Sequence, residues 1–362
     1  MAIEFIGMVQ PRLQSEIHPP SGPSVDPAYL RASMEAHESA GFDRVLIGWF
    51  SNGPDGLEIA ASSSAWTSRL GFMVAHRPGF QAPTNAARAF ATLDQLSGGR
   101  AAIHVISGGD DLDQRRDGDW TEKDERYART GEYVSILKAI WTAERPVSHH
   151  GRFYRFEDAS PEVRCVQTPH IPIYFGGASE AAIEVAGRHA DIYALWGETH
   201  AQVREIVARV RTQAATHGRQ VRFSLSFRPI LAQTESEAWA RAERILARIR
   251  EVRAASGLGP PSPPSNAGSR RLLAAAAGGV RPEGRLYTAI AAATGARGNT
   301  TALVGTPEQV AEALAAYHAL GVTTFLIRGF DPLEDAIAYG RDLLPLTRRL
   351  IAERPVRPVA AA

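Results

Sequence analysis

An eightfold alternation is the feature that most narrows what this chain can fold into. Short β-forming apolar runs fall at 3–10, 44–48, 70–75, 101–106, 171–175, 192–195, 221–231 and 322–328. Segments of helical periodicity follow them, at 27–40, 84–96, 125–141, 178–188, 202–217, 235–253, 308–320 and 333–351. A helix between two strands returns the chain to the same end of the sheet, so the pattern specifies parallel strands. Eight units match a TIM (β/α)8 barrel, and 362 residues exceed its usual ~250, so insertions are expected. They are read at 107–123, rich in Gly, Asp and Arg; at 147–157, where alternation around His150-Gly151 predicts a hairpin; and at 256–300. The third opens with SGLGPPSPPSNA and reads either as a mobile lid loop with helical pieces or as an excursion without a role. The whole span 1–362 reads as one domain.

Composition removes several function classes. Lys and Arg number 40 against 39 Asp and Glu, which leaves no broad basic surface for nucleic acid, and no run approaches a membrane span. Lys123 and Lys138 are the only lysines, so Schiff-base chemistry is disfavoured. Cys165 is the only cysteine, which excludes an intrachain disulfide and a cysteine-based zinc site. Residues 1–10 read as a first strand rather than a secretory leader, and a cytoplasmic location is expected.

The segment 171–191, IPIYFGGASEAAIEVAGRHAD, carries an apolar strand through Gly176, Gly177, Ala178 and Ser179 into an amphipathic helix. Such a turn offers unpaired N–H groups and a partial positive charge, with no side chain blocking an anion. It has two readings: a phosphate site or a plain connector. No Walker lysine and no G-x-G-x-x-G finger is present, so a phosphate on a barrel-bound cofactor fits better than a nucleoside triphosphate or a classical dinucleotide fold.

TIM-barrel chemistry sits where strands end. The residues collected there are aromatic and cationic: Trp49, His76, His104, Ser107, Trp196, Arg228 and Arg328. His76, His104 and His189 show no metal-ligand spacing, and G-x-S-x-G is absent. With neither metal nor strong nucleophile, a bound cofactor is expected to carry the reaction.

Seven motifs carry a family resemblance: GFDRVLIG (41–48), TSRLGFMVAHRPG (67–79), ATLDQLSGGR (91–100), DERY (124–127), PIYFGGAS (172–179), DIYALWGE (191–198) and TALVGTPEQVA (301–311). In this order they resemble the bacterial luciferase-like flavin monooxygenases, and most of all the alkanesulfonate monooxygenase branch. The resemblance implies a TIM barrel that uses reduced FMN, delivered by a separate NAD(P)H-dependent flavin reductase, with O₂ to release sulfite and an aldehyde from an organosulfonate. It also implies a homo-oligomer, dimer or tetramer. Tyr127, Gly177, Ala178 and Ser179 match its phosphate site, and Ile106, Ser107 and His76 border the flavin. Ala75-His76 falls where the family has a non-prolyl cis peptide, Trp196 matches an active-site tryptophan, and Arg297 lies at a family arginine in the mobile loop.

Departures are also visible. Gly53 stands at a family cysteine, Arg228 at a histidine, and Phe330 and Pro332 at a tyrosine and a histidine. Arg228, Arg297 and Arg328 are expected to anchor the sulfonate, because planar permanently charged forks suit tetrahedral anions. Trp196 and Trp49 would wall the pocket, and His104 or His76 would move a proton. The substrate expected is an alkanesulfonate or a sugar sulfonate such as sulfoquinovose. A deazaflavin-dependent dehydrogenase and a non-catalytic flavin-binding protein are the alternatives.

Overall fold

The computed structural model describes residues 3–108, 110–257, 264, 266–298 and 301–353. Eight parallel strands close into a barrel: β1 (Glu4–Val9), β2 (Arg44–Ile47), β3 (Gly71–His76), β4 (Ala101–Val105), β5 (Ile173–Gly176), β6 (Ile192–Trp196), β7 (Arg222–Leu231) and β8 (Val322–Ile327). Neighbours pair in chain order from β1 to β8, and β8 pairs back with β1, so no barrel edge is left open. All eight predicted strands form, in the predicted order.

Alternation along each strand divides the core in two. Ile6, Met73, Ala102, Tyr174 and Ile192 fill the barrel interior with Leu46 and Leu326. The opposite faces, among them Phe5, Val45, Phe72, Val74, Ile103 and Phe175, pack under the helices. At the N-terminal end, Glu4 accepts hydrogen bonds from Arg44 (2.8 Å), Tyr174 (2.9 Å) and Thr324 (3.1 Å), so that end is plugged by a satisfied polar cluster.

β7 is longer than its neighbours because it serves two partners. Residues 222–227 pair within the barrel, whereas 228–231 pair with the added parallel strand Ala302–Gly305. Leu286–Tyr287 extends that strip antiparallel. Pro229 has no N–H to give a ladder, and Arg228 N–H instead donates to Thr301 O (3.1 Å). Arg228 thus marks where the strand leaves the barrel wall.

The three insertions hold regular structure. Asp111–Arg116 is a short helix capped by Asp110, and Val147–His150 pairs with Arg155–Ala159 as the expected hairpin. Of the expected lid, 258–263, 265 and 299–300 lie outside the described residues. The remainder holds helices Ala267–Ala277 and Ala289–Thr294, whose Leu272 and Ala291, with Ala296 just beyond the second helix, cluster against Trp196. The Pro/Ser-rich start concealed this small hydrophobic layer.

One sequence expectation fails. The Ala75–His76 peptide is trans, since the cis peptide found among the described residues is Thr168–Pro169. β3 keeps its extended register through His76, which pairs with Val105 and accepts the Ile106 N–H at 3.0 Å. No helix in the described residues is long and apolar enough to cross a membrane.

Candidate active site

Two joined cavities occupy the C-terminal mouth of the barrel. The larger, about 560 Å³, is bordered by Met8, Glu16, Phe50, Arg228, Arg297 and Arg328. The smaller, about 210 Å³, lies between β4, β5 and β6 and is bordered by Ser107, Lys123, Tyr127, Gly177, Ala178 and Arg271. His104 and Trp196 border both. This is the end of the barrel where loops of a (β/α)8 fold place chemistry.

The smaller cavity is built around the Gly-Gly turn. Gly177 has φ +146°, and a Cβ there would come within 2.7 Å of Ala182 Cβ and 3.0 Å of the Tyr127 hydroxyl. Only glycine fits both the backbone and the space. Ser179 caps helix Glu180–His189 by accepting the Ala182 N–H at 3.3 Å, and the Tyr193 hydroxyl ties down the Gly177 carbonyl. The turn is therefore rigid, and Gly177 and Ala178 border the cavity just ahead of a helix N-terminus, an arrangement that favours an anion. Tyr127, buried on helix Lys123–Thr142, faces the turn, and burial raises its pKa so that the phenol stays protonated. Ile106 and Ser107 complete the wall, and the Ser107 hydroxyl bonds Thr130 at 2.9 Å.

A charge triad dominates the larger cavity. Arg228 is 1% exposed and makes four hydrogen bonds: to both Glu16 carboxylate oxygens at 2.8 and 2.9 Å, to Arg328 O at 3.1 Å and to Gly329 O at 2.8 Å. Its guanidinium also lies over the Phe330 ring at 3.8 Å. Arg328 bonds the same Glu16 at 3.1 Å and the Met8 sulfur at 3.2 Å. Burial alone would raise the Glu16 carboxyl, but the two guanidinium groups hold it well below the usual carboxylate range. Burial and the neighbouring Arg228 charge pull Arg328 down to about 10 against the attraction of Glu16, so it remains a cation at neutral pH. The three groups together carry one net positive charge. Arg297, exposed and without a hydrogen-bond or ion-pair partner among the described residues, adds a second.

The expected site residues fall mostly around the two cavities. Trp196, His104, Arg228, Arg297 and Arg328 converge on the larger cavity; Ile106, Ser107, Tyr127, Gly177 and Ala178 border the smaller, with Ser179 one residue beyond as its helix cap. His76 does not join them. Met73 points into the barrel, so His76, three residues on, points out, where it packs against Phe90 and hydrogen-bonds the Tyr133 hydroxyl at 2.7 Å. Trp49 also faces away, stacked on Phe80 and edge-on to His76, and the neighbouring Phe50 takes its expected place at the cavity. The roles expected of His76 and Trp49 are corrected accordingly. Arg228 borders the cavity but spends four of its five N–H groups on protein acceptors, which leaves one for anything that enters.

His104 points inward. Burial lowers its pKa to about 4, and its buried Nδ1 has no hydrogen-bond partner among the described residues. A neutral imidazole with an open nitrogen between two cavities can accept or donate one hydrogen bond to whatever fills them.

Sequence reasoning missed Glu16, Lys123 and Arg271. Glu16 could have been found as the carboxylate of the first strand-end loop, in a set otherwise rich in arginine. Lys123 directly precedes the DERY motif and is one of two lysines in the chain. Arg271 gave no local signal: it binds buried Glu198 at 2.7 Å and Glu205 at 2.8 Å, both distant in sequence, and holds helix Ala267–Ala277 over Trp196.

A family model described as luciferase-like monooxygenase matches residues 3–324. Among solved structures, a riboflavin lyase holding modified FMN and riboflavin aligns with TM-score 0.79 and 21% identity, over 97% of this chain and 92% of its own. The EDTA monooxygenase of Chelativorans sp. BNC1 aligns with TM-score 0.75 and 18% identity, over 99% and 96%. A coenzyme F420-dependent tetrahydromethanopterin reductase of Methanopyrus kandleri aligns with TM-score 0.70 and 17% identity, over 95% and 99%. At these identities the likeness is one of fold.

Proposed function

Since the chain belongs to the luciferase-like monooxygenase family, we propose that it is a two-component monooxygenase that uses reduced FMN and O₂ to release sulfite and an aldehyde from an organosulfonate. One observation carries this reading: the anion cradle at Gly177 and the arginine-lined cavity meet at His104 and Trp196. A cofactor with its phosphate in the first would present its ring system toward the second. The residues fit FMN, because a Cβ at position 177 would fill the cradle and because Tyr127 and the Ser179-capped helix converge on it.

Reduced FMN would supply two electrons to O₂ and so the oxidising power for cleaving a C–S bond. The chain's own residues do the rest. Gly177, Ala178 and Tyr127 hold the phosphate. Arg297 and Arg328 bind the sulfonate, in a field kept positive because Glu16 cancels one of the three arginines. His104, neutral at pH 7, holds a hydrogen bond or moves a proton at Nδ1. Helix Ala267–Ala277, fastened by Arg271, excludes water above Trp196. Reduced flavin would come from a separate NAD(P)H-dependent reductase, and a homo-oligomer in the cytoplasm remains part of the proposal.

The test supplies enzymatically reduced FMN and O₂ and measures sulfite across alkanesulfonates, aromatic sulfonates and sulfoquinovose. Sulfite from at least one class, with matching O₂ uptake, is expected. Substrate turnover with O₂ uptake and no sulfite would keep the monooxygenase and overturn the desulfonation. Turnover with a reduced deazaflavin and no O₂ uptake would replace both by hydride transfer, and tight FMN binding without turnover of any substrate would leave a flavin-binding protein.

A further inference from the structure

Lys123 opens helix Lys123–Thr142 at the edge of the smaller cavity, facing the Gly177–Ala178 turn across it. Its surroundings are electrostatically incomplete. A cation in the first turn opposes the helix dipole. Arg126 and Arg270 lie close enough for their charges to act on the ammonium, which burial and then these two neighbours make less basic, against the attraction of Asp111 and Asp124. Asp111 is already committed to Arg126 at 2.6 Å. Glu198, the carboxylate that borders the cavity, is committed to Arg271 at 2.7 Å. Lys123 itself has neither a hydrogen bond nor an ion pair among the described residues.

Three helices also begin at this cavity. Helix Glu180–His189 starts beyond Ala178, helix Lys123–Thr142 starts at Lys123, and helix Ala267–Ala277 starts at Asn266, which borders the cavity with Ala267 and Gly268. Their positive ends meet a half-buried ammonium that has no ion-pair partner among the described residues, in a space of about 210 Å³. The ammonium and the three helix starts together suit a compact anion.

We infer that Lys123 is the residue by which this chain recognises a terminal phosphate monoester, so that it selects FMN over the otherwise identical riboflavin. The inference rests on the flavin reading above and adds to it the group that reads the second phosphate charge. The barrel turn and Tyr127 hold one side of the phosphate, while Lys123 and the start of helix Ala267–Ala277 close the other. The choice of lysine is consistent with a point charge that can follow a rotating phosphate, where arginine's planar fork fixes a direction.

The experiment measures equilibrium binding of oxidised FMN and of riboflavin by flavin fluorescence, using the full chain, Lys123→Gln and Lys123→Arg. Lys123→Gln should weaken FMN about tenfold and leave riboflavin within twofold, because a half-buried charge-assisted contact is worth roughly that factor. Lys123→Arg should recover most of the loss. As a second readout, amide exchange in residues 267–277 should slow more with FMN than with riboflavin in the unaltered chain, and this difference should shrink in Lys123→Gln. Unchanged FMN affinity in Lys123→Gln, or an equal loss for both flavins, would overturn the inference while the flavin reading stands. No binding of either flavin to the unaltered chain would overturn both.

Discussion

Glu16 grips Arg228 through both carboxylate oxygens, at 2.8 and 2.9 Å, and so joins the loop after β1 to the point where β7 leaves the barrel wall. The residues are 212 positions apart. The pair neutralises one of the three arginines that the sequence suggested as sulfonate ligands, while Arg328 and Arg297 border the same cavity.

Removing one member of the pair should therefore act first on stability. Arg228→Met leaves Glu16 with Arg328 alone and is expected to cost about 3 kcal/mol, while adding Glu16→Gln should restore part of that loss. Urea unfolding of the two single variants and the double variant checks this. Simple additivity would mean that the two side chains are not coupled.

Arg297 should behave in the opposite way. It is exposed and unpartnered among the described residues, so Arg297→Ala should leave Tm within about a degree. If it binds the sulfonate, KM should rise roughly tenfold with a smaller change in kcat. An unchanged KM for every sulfonate that is turned over would remove Arg297 from the site.

Gly177→Ala tests the cradle. The new Cβ would meet Ala182 and Tyr127 at a φ that L-residues rarely adopt, so the turn must move at a cost of about 1–3 kcal/mol. Flavin affinity is expected to fall at least tenfold. A folded variant with undiminished FMN affinity would place the phosphate elsewhere.

Acid should destabilise the fold in a specific window. Burial lowers the pKa of His37 and of His76 from 6.5 to about 4. Between these values the unfolded chain binds protons that the folded chain refuses. Stability from each group is thus complete above pH 6.5 and is lost as pH falls toward 4, by up to about 3 kcal/mol per histidine. His76→Phe should flatten the fall in unfolding free energy between pH 6.5 and 4.5, besides costing the Tyr133 hydrogen bond at every pH. Parallel curves for the variant and the parent would show that His76 already titrates normally.

Parity explains most of the difference between the site read from sequence and the site observed. His104 and His76 both stand at strand ends, but one faces the barrel and the other faces Tyr133. Successive residues take opposite sides, so a strand end read only to within a residue or two does not say which side its last residue faces. Trp49 and Phe50 differ in the same way. Lys123 was visible as a rare residue, yet its lack of an ion pair among the described residues became visible only in the structure, where Asp111 and Glu198 are engaged elsewhere.

The sequence by itself determined the barrel and the place of the Gly-Gly turn, since both are local: eight strand–helix periods, and a glycine pair between a strand and a helix start. It could not decide where the charges end up. Whether an arginine is free or neutralised, as Arg297 and Arg228 differ, depends on a carboxylate that closure of the barrel brings from far along the chain. Strand periodicity is written over a few residues, whereas electrostatic balance is set by neighbours in space, and only the tertiary structure supplies those.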